Sequence, residues 1–243
     1  MLILMQIQKT KKQRITSQEG LVNMREKYEE ELRKLNTAII TMGKMIEVAI
    51  ESSILALMSH DSSSADAIIK ADDAIDEKEK EIEQLCIKLL LQQQPVATDL
   101  RFITSALKMV TDMERIGDHA EDIADLMKKM YTSGNSNKDV LGKFINSKLN
   151  EMGNEIQEML NDSINAYINR DIVLAKKVIS SDDIVDNLYH QIKKELVVQI
   201  QSKTKSGEQI ADYLLIAKYF ERIGDHATKI AEWVIFAMVG DLK

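Results

Sequence analysis

The heptapeptide Glu114-Arg115-Ile116-Gly117-Asp118-His119-Ala120 occurs twice in this chain, returning residue for residue as Glu221-Arg222-Ile223-Gly224-Asp225-His226-Ala227. Ile123-Ala124 then matches Ile230-Ala231 at the same offset of 107 residues. Upstream the offset is 110, and residues 42–76 align with 152–186. The identities there include Met42/Met152, Gly43/Gly153, Ile46/Ile156, Ala56/Ala166, Asp61/Asp171 and Ala65/Ala175. They continue through Ile69/Ile179, Asp72/Asp182, Asp73/Asp183 and Asp76/Asp186, so only one connection has been shortened, by three residues. Seven consecutive identities inside one chain mark a duplication, and self-similarity at a fixed period decides architecture before any single element is assigned.

Each copy reads as three long helices. In the first helix Leu32, Leu35, Ile39, Met42, Ile46, Ala49 and Ala56/Leu57 step by threes and fours, which is the buried seam of a bundle helix. The run stops near His60, where Asp61-Ser62-Ser63-Ser64 offers an N-cap for the second helix. Ile68, Ile75, Ile82, Leu85 and Leu89 carry that helix to Gln94. Pro95, the sole proline, is placed at the first turn of the third helix, where its missing N–H costs nothing. Tyr131 to Asn137 forms the linker. The second copy repeats the plan with a helix over roughly 139–169, one capped at Asp171 and one starting near Ser206-Gly207. The expected fold is all-α: two tandem antiparallel three-helix bundles, residues 24–133 and 138–243, related by a pseudo-twofold internal repeat.

Composition agrees. Among 243 residues there are nine Gly and one Pro, too few for the turns of a sandwich or barrel. A single Cys excludes an internal disulfide and favours a reducing cytosol; Cys86 falls on an apolar helix face and reads as core. The net charge of −7 argues against a nucleic-acid partner. No apolar run approaches the ~20 residues of a membrane span, so direct membrane insertion is not expected. Residues 1–23 differ from the rest. They run from apolar Met1–Met5 to the basic Lys9–Arg14, an order opposite to that of a secretion signal. They are expected to be a disordered extension or a mis-assigned start, with Met24 as the natural initiator.

The chemistry lies in carboxylates. Asp72/Asp76 and Glu114/Asp118 in the first copy, and Asp182/Asp186 and Glu221/Asp225 in the second, are i, i+4 pairs. Such pairs share a helix face, about 5–6 Å apart at Cβ. Two pairs brought together from neighbouring helices gather four negative charges, which demand raised pKa values, basic partners or a bound cation. Oxygen donors alone suit magnesium, manganese or iron. The competing reading is a solvated acidic face with Arg115 and Arg222 as surface counter-ions. Two features favour the cation: both pairs persist in each copy, and Gly117 and Gly224 sit mid-helix at a cost of ~1 kcal/mol each, although close helix packing alone also explains the glycines. His119 and His226 are five residues beyond each Glu. That is the wrong phase for the Glu-x-x-His of di-iron bundles, which leaves them a place beside the ligands, on the surface, or no role. There is no nucleophile with an adjacent base and no Gly-rich phosphate loop, so an enzyme is not expected, nor an organic cofactor.

From about Met24 to Lys243 these residues resemble the PhoU family. The resemblance rests on the opening Met24-Arg25-Glu26-Lys27-Tyr28-Glu29-Glu30-Glu31-Leu32 with Met42-Gly43, on Asp72-x-x-Ile75-Asp76, on Gln94-Pro95-Val96-Ala97-Thr98-Asp99-Leu100-Arg101, and above all on the twofold Glu-Arg-Ile-Gly-Asp. It implies a pair of three-helix bundles, usually dimeric, that restrains phosphate uptake and phosphate-starvation signalling. The implied partners are the ATPase subunit of a phosphate ABC transporter and a membrane sensor histidine kinase, met from the cytoplasm. It also implies iron or another metal ion (manganese, zinc or magnesium) at Asp72, Asp76, Glu114, Asp118, Asp182, Asp186, Glu221 and Asp225. The alternative is a metal-binding helical protein of storage or redox type.

Overall fold

The computed structural model describes residues 2–59, 65–92, 97–132, 142–201 and 207–241, with the side chains of 2–24, 92, 131–132 and 142–143 excepted. Six helices account for them: α1 (Leu2–Ser59), α2 (Ala65–Gln92), α3 (Ala97–Thr132), α4 (Gly142–Asn169), α5 (Ile172–Gln201) and α6 (Gly207–Val239). No strand occurs among the described residues. The anticipated N-cap at Asp61–Ser64 and the proline at the start of α3 lie outside them. The cap at Asp171 is present. Its Oδ1 accepts hydrogen bonds from the amides of Val173 at 2.9 Å and Leu174 at 3.0 Å, satisfying two of the amides a helix start leaves unpaired. Arg170 makes the preceding turn at φ 55° and lays its guanidinium over the Phe102 ring, 4.7 Å from the centroid. α1 begins at Leu2, so the backbone of the stretch expected to lack fixed structure runs as helix into the bundle. That stretch contains no proline to stop it.

The seam positions behave as the periodicity requires. Leu35, Ile39, Met42, Ile46 and Leu57 are fully buried on α1, and Ile75, Ile82 and Leu89 on α2. Cys86 is buried as a free thiol. α1, α2 and α3 pack mutually, as do α4, α5 and α6. The two bundles meet through equivalent elements, α3 against α6 and α1 against α4, while α2 and α5 stay on the outer flanks. One hydrophobic core runs through all six helices.

The internal symmetry is visible at both seams. In α1·α4, a Cβ on Gly43 would collide with Ile164, and a Cβ on Gly153 would collide with Ile54. These two contacts are mates of one another under the 110-residue offset, and their inverse order makes the helices antiparallel. The glycines are the holes for the isoleucine knobs of the opposite bundle. In α3·α6 the repeat mates His119 and His226 face each other directly, ring centroids 5.6 Å apart. A residue that touches its own mate sits on the symmetry axis. Around that axis the copies have diverged: His226 Nδ1 lies 2.9 Å from Asp112 Oδ1, whereas His119 packs on Tyr219, the mate of Asp112, at 5.4 Å.

Candidate metal centre

The acidic residues are brought together by the α2·α3 packing of the first bundle. A β-carbon on Gly117 would lie 3.1 Å from Asp72 Oδ1 and 3.2 Å from two Ile75 carbons. The missing side chain therefore lets α2 approach α3 closely, with Asp72 above the gap and Ile75 sealing it. Across this approach Asp72, Asp76 and Asp118 each present a carboxylate oxygen, and the three oxygens lie within 4.8 Å of one another. Asp72 Oδ1 is buried with no hydrogen-bond partner among the described residues. Glu114 joins at the edge, its side chain 17% exposed and its Oε2 met only by Arg115 Nε at 3.5 Å. Arg115 also reaches Asp118 at 2.7 Å, but its side chain is 54% exposed, so it covers the cluster from outside.

The electrostatics follow from that geometry. Burial first, and then the charges of Glu121, Asp118, Asp76 and Glu114, push the Asp72 carboxyl up to about 7. Burial and Asp118 likewise raise Glu114, and burial with Asp125 and Asp118 raises Glu121. Glu79 is raised by burial and by Glu83. Uncompensated carboxylates in a partly dry site favour any species that restores positive charge. Three oxygens at this separation with a buried orphan among them fit an oxygen-seeking divalent or trivalent ion.

Of the eight acidic positions expected to act, Asp72, Asp76 and Asp118 of the first bundle present oxygens close to one another, with Glu114 outside that trio. The second bundle's are arranged differently. Asp182 lies under the same kind of glycine, 3.6 Å from a β-carbon on Gly224, and its carboxyl rises to about 6 through burial, Asp225 and Asp186. Yet among the described residues no three ligand atoms there converge as in the first bundle. Glu221 is instead clamped by Lys218, whose ammonium bonds both its oxygens. Sequence reasoning missed Glu79, Glu121 and Lys218. The first two follow Asp76 and Asp118 by three residues, and Lys218 precedes Glu221 by three, so extending the i, i+3 face would have found them. No histidine joins the three-aspartate cluster. His119 is buried on the symmetry axis rather than on the surface, and burial lowers its pKa.

The model of the PhoU domain matches residues 39–127 and again 149–234, one match per bundle. A phosphate-specific transport system accessory protein PhoU homolog from Clostridium acetobutylicum is 41% identical over 215 residues, covering 88% of this chain and 94% of the relative. The homolog from Aquifex aeolicus is 36% identical over 192 residues, 79% of this chain and 84% of its own. The crystal structure of PhoU from Pseudomonas aeruginosa superposes with a TM-score of 0.80 at 30% identity, over 88% of this chain and 100% of that one. PhoU from Streptococcus pneumoniae gives the same TM-score at 27% identity, over 89% and 99%. With the duplicated motif, the paired bundles and near-full-length relatives all in agreement, the chain belongs to the PhoU family.

Proposed function

We propose that this protein is a cytoplasmic negative regulator of phosphate uptake and of phosphate-starvation signalling. It works without catalysis, as a homodimeric adaptor between the ATPase subunit of a phosphate ABC transporter and a membrane sensor histidine kinase. The observation that carries the reading is the similarity, over 88% and 79% of this chain, to two proteins named as accessories of phosphate-specific transport. No described helix is long and apolar enough to cross a membrane, which suits a partner that docks on membrane proteins from outside the bilayer. The acidic faces supply the second element: iron, manganese, zinc or magnesium held by Asp72, Asp76, Glu114 and Asp118, a set that Asp182, Asp186, Glu221 and Asp225 repeat in the sequence of the second bundle.

Deletion of the gene tests the regulatory part. Alkaline phosphatase and phosphate uptake should both rise in phosphate-rich medium, and unchanged phosphate control would refute the adaptor. Metal analysis of purified protein tests the other part. Wild type should retain metal that Glu114→Ala with Asp118→Ala, plus Glu221→Ala with Asp225→Ala, removes. Metal-free wild type under physiological supply rules the centre out. A storage or redox protein would instead show intact phosphate control and altered metal tolerance on deletion.

A further inference from the structure

The two acidic sets descend from one duplicated module, yet at three positions beside them the copies differ in a way that moves charge in the same direction. Thr111 on α3 has Lys218 as its mate on α6; Glu79 on α2 has Tyr189; Glu121 on α3 has Thr228. In the first bundle Glu121 and Glu79 add their charges to Asp72 and Glu114. In the second bundle those two charges are gone and an ammonium has been added. The shift amounts to three units of charge between sites of common origin.

Lys218 is also held in place. It bonds both oxygens of Glu221, whose side chain is only 12% exposed. Its ammonium lies 5.4 Å from the ring centroid of Tyr189, the very residue that replaces Glu79. The cation and the aromatic face that receives it occur together in the second copy, and the first copy has Thr111 and Glu79 in their places. The arginine mates do not restore parity. Arg115 leans on the first set from a half-exposed position and can swing into water when an ion arrives, while among the ion pairs of the described residues the second set is met by Lys218 and not by Arg222.

We propose that the two sets are not equivalent: the first bundle's carboxylates are the ion-binding centre, and in the second bundle Lys218 stands in for the ion as a covalently tethered cation. This rests on the metal reading given above and changes its stoichiometry. Each chain carries one high-affinity ion, and the second bundle keeps its α5·α6 geometry without one. Glu221 is thereby a partner of Lys218, not a ligand, and Asp182, Asp186 and Asp225 are left without the fourth carboxylate.

A reciprocal exchange tests it. The full-length protein, stripped by chelation and followed by far-UV circular dichroism, is titrated with Mn²⁺ by calorimetry and by loss of the free-ion EPR signal. Wild type should bind one tight ion per chain, lost in Asp76→Asn/Asp118→Asn and kept in Asp186→Asn/Asp225→Asn. Lys218→Thr should create or tighten a second site by at least ~10-fold, since an ammonium in contact with a carboxylate is removed. Thr111→Lys should weaken the first site by a similar factor. Lys218→Met, which keeps the stem over Tyr189, should tighten the second site like Lys218→Thr and so guards against a packing artefact. Two wild-type sites of equal affinity, or a Lys218→Thr chain with no gain, overturns the proposal. Failure of wild type and Lys218→Thr alike to bind Mn²⁺, Zn²⁺ or Fe²⁺ refutes the metal reading beneath it.

Discussion

Gly153→Ala is the substitution whose outcome depends most directly on how the two bundles are joined. A β-carbon there would fall under 3.0 Å from both Cδ1 and Cγ1 of Ile54. Ile54 is 6% exposed within the common core and has little room to retreat. Forcing an extra methyl into such a contact costs ~1–3 kcal/mol. Against this, alanine in mid-helix is better than glycine by ~1 kcal/mol. The net expectation is a loss of ~1 kcal/mol in urea unfolding followed by circular dichroism, with an unchanged m value. The decisive measurement is the same substitution in an Ile54→Ala background. There the knob is gone, the new methyl fills part of the cavity, and Gly153→Ala should stabilise by ~1 kcal/mol. The sign of the effect reverses. Gly43→Ala is the built-in control, because only the Cδ1 tip of Ile164 is too close and its Cγ1 stands off at 3.7 Å. It should be near neutral. If Gly153→Ala has the same effect in both backgrounds to within ~0.5 kcal/mol, the two residues are not in contact and the interlocking fails.

Further expectations concern charge and capping. Asp72 titrates at about 7 in the folded chain and near ~4 when unfolded. A raised pKa contributes stability below the unfolded value that is lost as pH climbs through the folded one. Metal-free protein should therefore weaken between pH ~4 and ~7. The full shift corresponds to ~4 kcal/mol, but the group is partly solvated and screening leaves ~1–2 kcal/mol. Asp72→Asn should recover that amount above pH ~7 and flatten the profile; a less stable variant there contradicts the electrostatic account. Asp171→Ala removes the acceptor of two α5 amides and should cost ~1 kcal/mol, while Asp171→Ser retains most of it. Equal melting temperatures for the two would show that the cap contributes nothing.

The architecture was legible because duplication wrote it twice. The apolar steps of three and four on α1 and α2 correspond to residues such as Ile39, Met42, Ile75 and Ile82, all buried. Local chemistry was legible too, as Asp171 shows. What could not be read was anything depending on the third dimension between helices. Gly43 and Gly153 stood out as a matched pair, but only the antiparallel α1·α4 crossing reveals the isoleucines they receive. His119 gave no sign of lying on an axis, since its partner is its own mate. The acidic pairs were evident by spacing, whereas the difference between them was not. Lys218 is one basic residue on a charged helix until Glu221 and Tyr189 are seen around it.

The axis through His119 and His226 has a consequence for how such a molecule can change over time. If two identical copies of one bundle paired through this seam, each substitution would appear on both sides at once. A residue would meet only itself or the same neighbour twice. Fusion of the copies into one chain lifts that restriction: His226 faces Asp112 while His119 faces Tyr219, two unlike environments that one gene for a symmetric pair could not encode. The tandem arrangement thus gives selection separate access to halves that once moved together.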